Sequence, residues 1–155
     1  MKLWDWAVDA YGEPGVSEAC LALQDSHEQN VPLLLWAAWT ATTGRRPVPE
    51  DIEGACDISR AWEETTVAPL RTVRRALKGP HPDMDSDARE AVRRQIKAVE
   101  LEAERRLLEA LEALAPAAPN GASRPALDAM VETARAWSRV TPRPALARLA
   151  EALPA

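Results

Sequence analysis

Residues 21–39 read LALQDSHEQNVPLLLWAAW, and their reading decides the fold. Gln24, Asp25, His27 and Asn30 crowd the first part. Val31 to Ala41 that follows is apolar except for Thr40 and carries Trp36 and Trp39. The polar part is either an active site beside a greasy pocket or the junction of two core helices. The junction is the simpler reading. Asn30 suits an N-cap, because its side-chain oxygen can accept a backbone N–H in the first turn. Pro32 is tolerated there, since its missing N–H would have no partner anyway. A helix apolar on every side belongs at the centre of a fold. Leu33–Thr42 is therefore expected to be the buried central helix, with Trp36 inside it.

Working outward, helical spacing continues on both sides. Leu3, Trp4, Ala7 and Tyr11 share a face and GEPG (12–15) ends it; Val16, Cys20 and Leu23 make the next stripe. A fourth helix is expected from Asp51, carrying Ile52, Ala55, Cys56, Ser59 and Trp62. Pro69 either kinks it or opens a new helix. KGPHPDMD (78–85) is a break, and Asp85 or Ser86 caps a long helix to about residue 115. Val92, Ile96, Val99, Ala103, Leu107, Ala110 and Leu114 line that helix near heptad spacing, as in a helical hairpin. APAAPNGASRP (115–125) reads as a linker by composition. The expectation is an all-α, compact bundle of five to seven helices that includes a long antiparallel pair. Residues 1–115 form the helical core domain, 116–125 the linker and 126–155 a C-terminal helical segment with its own Trp137.

Composition narrows the function. The chain has 155 residues, six Trp, one Tyr and no Phe, with a net charge of −5. That balance gives no general case for nucleic acid. Charge is uneven: residues 1–43 hold six acids against Lys2, whereas residues 60–78 hold five bases against Glu63 and Glu64. The N-terminus lacks the apolar core of a signal peptide. The run from Val31 to Ala41 is about half of the ~20 residues that span a membrane. A cytoplasmic protein with reduced thiols and no membrane insertion is expected. Cys20 and Cys56 belong to no metal-ligand spacing, no ExxH pair occurs, and no phosphate loop or nucleophile motif is present. No catalytic residue, metal or cofactor follows from the sequence, and a non-enzymatic protein is expected.

Two sets of residues remain as site candidates. Arg71, Arg74, Arg75 and Lys78, in LRTVRRALK, could meet a protein partner, or phosphates if no carboxylate occupies them; Glu100 and Glu104 are the carboxylates placed to do so. Trp4, Trp36, Trp39 and Trp62, with Gln24, Asp25 and Asn30, could line a pocket for a small apolar ligand. Core packing is the plainer role for Trp4, Trp36 and Trp62, with Trp6 and Trp39 less committed to it. Gln24 or Asp25 would then bond to a helix end or an indole. The favoured reading is an interaction or adaptor module acting through an exposed helical face. The partner's identity, and whether the chain is a monomer or a dimer, stay open.

The blocks LWDWAVDAYGEPGVSEACLALQDSHEQNVPLLLWAAW, APLRTVRRALK and VELEAERRLLEAL resemble a family of small proteobacterial proteins of unknown function, domain-of-unknown-function family 2390, over about residues 3–115. The resemblance implies an all-helical cytoplasmic protein and carries no activity or ligand. It singles out Gln24, Asp25, Asn30, Arg71, Arg74, Lys78, Glu100 and Glu104 as positions matching the family pattern, with no role attached.

Overall fold

The structure is a computed structural model and describes residues 1–154. It is all-α, with no strand among the described residues. The helices are α1 (Leu3–Tyr11), α2 (Val16–His27), α3 (Val31–Thr42), α4 (Pro49–Trp62), α5 (Ala68–Ala76), α6 (Ser86–Leu114), α7 (Ala126–Trp137) and α8 (Arg143–Ala152). A π-helical turn, Glu63–Val67, joins α4 to α5 in one continuous rod, so these elements make seven rods.

Local chemistry explains the joints. Glu28 follows α2 in the left-handed region, which lets the Gln29 N–H reach back to the Leu23 carbonyl and stop the helix. The Asn30 side chain then accepts the Leu33 N–H at 3.0 Å, and α3 starts. Every residue of α3 from Val31 to Ala41 is buried. Burial of each of its leucines is worth about 1.5–3 kcal/mol. α4 begins at Pro49, two residues before the position expected from sequence, because Asp51 turns back to accept the Val48 N–H at 3.1 Å.

Pro69 sits in the first turn of α5, and the rod runs through it without a break. It has no N–H to offer the Thr65 carbonyl, and the rod accommodates it with a wider turn in which the Ala68 N–H reaches Glu63 O, five residues back. The rod and α6 run antiparallel: Leu114 packs over Gly54 at one end and Glu100 meets Arg74 towards the other. Asp85 caps α6 through the Ala88 N–H. Of the expected α6 stripe, Ala103 and Leu107 are buried in the core and Leu114 packs against it; Leu108 and Leu111, off that stripe, are buried beside them. Val92 and Val99 are about half exposed, because this part of α6 faces α5, which buries no residue of its own.

The C-terminal segment lies within the same core. Met130 and Ala134 of α7 pack with α3, and Leu146 and Leu149 of α8 pack with α2. The stretch 116–125, a linker by composition, is pinned along its length. Asn120 and Gly121 donate to the Gly44 carbonyl at 3.1 Å each, Arg124 donates to Ala41 O at 3.0 Å, and the Arg46 guanidinium clasps Ala122 O. Trp137 stacks under Arg60 (4.3 Å) and gives its indole N–H to Glu28 O at 3.0 Å. One core therefore includes both sides of the boundary that composition places at 116.

Gly44 makes this crossing possible. Its φ is +70°, and a Cβ there would come within 2.6 Å of the Gly121 carbonyl. A left-handed residue bearing a Cβ costs about 1–2 kcal/mol before any clash. Gly44→Ala is expected to lose at least that much in urea unfolding, whereas Gly79→Ala, with open space around its Cβ, should lose no more than the conformational part.

Candidate functional site

The six tryptophans do not form a pocket. Trp36 and Trp39 are buried in α3, and Trp6 is buried on α1. Trp4 and Trp62 are only half-buried against the core, the reverse of the ranking expected from their stripes. An all-apolar helix buries Trp39 whichever way it points, while α1 and α4 each bury one side only. The Trp39 indole donates to Met1 O at 3.2 Å, and Arg45 lies over its ring at 4.4 Å. The Trp36 indole N–H has no partner among the described residues.

A cleft that gathers charged and polar side chains lies instead where α1, α2 and the α5–α6 pair meet. It is an open cleft of about 340 Å³ lined by Tyr11, Ser17, Cys20, Leu21, Gln24, Val31, Val67, Arg71, Arg74, Glu100 and Glu104. Helical spacing explains the composition. Val67, at the end of the π turn, and Arg71 and Arg74 on α5 stand four and three residues apart and share a face; Glu100 and Glu104 stand one turn apart on α6. Cys20 and Gln24 do the same on α2. Behind Tyr11 and Glu104 opens a second, apolar slot of about 160 Å³, whose walls include Trp4, Val8, Leu35, Leu101 and Leu108. Trp4 is the one tryptophan among its lining residues.

The basic stripe is paired within the chain. Arg71 bridges to Glu63 at 3.3 Å, Arg74 to Glu100 at 2.7 Å and Arg75 to Asp25 at 2.9 Å. Arg71, Arg74, Glu63 and Glu100 are largely shielded from water, whereas Arg75 and Asp25 are exposed, so the last pair adds at most about 1 kcal/mol. Lys78 is exposed, with no ion pair among the described residues. Three of the four bases are therefore paired, and Lys78 stands apart from them.

The polar junction divides in the same way. Asn30 is a helix cap, as its position implies. Gln24 and Asp25 bond to neither a helix end nor an indole: Gln24 Nε2 donates to Asp25 Oδ1 at 3.2 Å, and that oxygen also accepts from Arg75. Asp25 thus ties α2 to α5. The Gln24 hydrogen bond holds its carboxyl below the ordinary range against the opposing effect of burial, with Arg75 and Arg71 adding to the lowering.

Sequence reasoning missed Tyr11, Ser17 and Cys20. Tyr11 and Cys20 follow apolar stripes and carry no signal of a polar cleft. Burial pushes the Cys20 thiol up to about 12, helped by the Glu104 charge and opposed by the Tyr11 hydroxyl, so at neutral pH it is a thiol and not an activated thiolate. Burial also raises the Tyr11 phenol, with further increments from Cys20 and Glu104. Glu104 is raised by burial, against Arg71, with Glu100 and Glu63 adding to the rise. A carboxyl raised on folding binds its proton more tightly in the native state, so its stability contribution falls as pH rises through that window. Glu104→Gln is expected to melt higher than wild type at pH 8, with the gap closing as pH falls towards 4. Thermal unfolding across pH checks the trend.

Among the described residues no three His, Cys, Asp or Glu side chains are placed to hold a metal ion. Nor, among the described residues, is any helix long and apolar enough to cross a membrane. Fold and cleft together define a class: a helical protein with a mixed-charge cleft on one side of its core. The family model described as a protein of unknown function (DUF2390) matches residues 2–111, and the chain belongs to that family. All the cleft-lining residues fall inside the matched span. No curated protein and no solved structure matches the chain.

Proposed function

We propose that this chain is a non-enzymatic, cytoplasmic binding protein that takes a small ligand into the cleft between α1, α2, α5 and α6. The supporting observation is the convergence of Gln24, Arg71, Arg74, Glu100 and Glu104, from three separate stretches of sequence, on a cavity of about 340 Å³. Ligand sites are concave, about 300–1,000 Å³, and combine apolar walls with a few convergent polar groups. Leu21, Val31 and Val67 supply the first and the charged residues the second. A raised thiol and a raised phenol fit binding better than nucleophilic chemistry.

The adaptor reading keeps one observation in its favour. The α5–α6 arm exposes Val73, Val92 and Val99 beyond the core, a surface on which a protein partner could rest. Arg71, Arg74 and Arg75 are engaged by Glu63, Glu100 and Asp25, which weakens the electrostatic part of that reading and the case for nucleic acid alike.

Thermal unfolding against a panel of small metabolites tests the cleft. A ligand at a hundredfold excess over its Kd adds about 2.7 kcal/mol, a rise of roughly 5 to 10 °C for a chain of this size. At least one compound is expected to give such a rise with wild type and not with Ser17→Trp, which fills the cleft from an exposed position on α2. Equal shifts in both proteins, or none in wild type, would contradict the proposal.

A further inference from the structure

Resting on the cleft as a ligand site, the geometry points to the chemical class of its ligand: a primary or secondary amine, protonated at neutral pH, carrying a compact apolar tail. The ammonium would meet Glu104 and the tail would enter the slot beside Trp4. Three observations carry this.

The first is the state of the cleft's cations. Arg71 and Arg74 each already hold a carboxylate, Glu63 and Glu100. An anionic ligand would have to break one of these shielded pairs. The second is Glu104. It has neither a hydrogen bond nor an ion pair with any described residue, although it lines the cleft, the slot and the narrow crevice below Gln29. Among the described residues that line the cleft and the crevice, three carboxylates, Glu63, Glu100 and Glu104, face two cations, Arg71 and Arg74, which leaves the site one positive charge short when all five are ionised. A protonated amine supplies that charge together with N–H donors, and charge-assisted bonds of this kind are the stronger ones. The third is position. Glu104 and Tyr11 line both cavities, so a group bound to Glu104 sits at the mouth of the slot. The slot's 160 Å³ is close to the ~150 Å³ in which an engineered apolar cavity accepts benzene.

The test is a pair of isotope-labelled NMR titrations, with 2-phenylethylamine as hydrochloride and with 3-phenylpropionate, at pH 7. The amine is expected to shift the amides of Tyr11, Cys20, Leu101 and Glu104 saturably. Glu104→Gln, close in shape and free of the charge, should weaken it roughly tenfold or more. Val8→Trp, which fills the slot from its exposed side, should weaken it while leaving Glu104 in place. Saturable shifts from phenylpropionate alone would overturn the amine assignment and leave the cleft reading standing. Amine binding unchanged by Glu104→Gln would overturn the assignment to Glu104, and binding unchanged by Val8→Trp would overturn the placement of the tail. If neither probe shifts these amides, the assignment falls, and the cleft reading then stands or falls on the metabolite panel.

Discussion

A chain ending at Ala115 is expected not to fold, although it contains the whole span matched by the family model. α3 is buried on every side, and part of its cover comes from α7. Truncation removes Met130, Leu146 and Leu149, all at 0% exposure, and uncovers the apolar side chains of α2 and α3 beneath them. At about 1.5–3 kcal/mol per large side chain, these three alone amount to roughly 5–9 kcal/mol. Whole domains are stable by only about 5–15 kcal/mol. Far-UV circular dichroism through a urea series is the check: the truncated chain should lack a cooperative transition. A sharp transition, with helix content in proportion to its length, would show that residues 1–115 are independent after all.

The second large effect is at Trp36. Replacing a fully buried Trp by Ala costs about 3–5 kcal/mol, from lost transfer energy and the cavity left behind. Trp36→Ala should therefore lower the urea midpoint steeply with little change in slope. Trp36→Phe should be much milder than its loss of volume suggests. The Trp36 indole N–H is buried without a partner among the described residues, and an unsatisfied buried donor costs about 1–3 kcal/mol that Phe does not incur. If Phe proved as damaging as Ala, the indole would be making an interaction not seen in this packing.

These two experiments bear on the part of the molecule most legible in the sequence. α3 could be placed because an apolar run needs no knowledge of its neighbours to be recognised as central, and Asn30 because capping is local. The Arg74–Glu100 pair was within reach, since both residues sit on helices joined by an evident hairpin. The π turn was not: Pro69 marks a disturbance, but whether the helix breaks or widens depends on what packs against Val67. Nor was the pinned crossing at 116–125. Its order comes from partners about seventy residues away, Gly44 and Arg46, and composition reports only the absence of regular structure. The cleft was legible in fragments. Gln24, Arg71, Arg74, Glu100 and Glu104 stood out singly, but their meeting is a property of how α2, α5 and α6 pack. Tyr11 and Cys20 look like core residues because each does follow an apolar stripe; what makes them cleft residues is that α5 and α6 stand off from them.

The cleft is the central claim, and native mass spectrometry of the protein isolated gently from its own cells tests it most directly. Wild type is expected to carry a small-molecule adduct that dissociates on mild activation and is absent from Ser17→Trp prepared in parallel. Identical spectra for the two proteins, with the adduct present in both or in neither, would contradict the account.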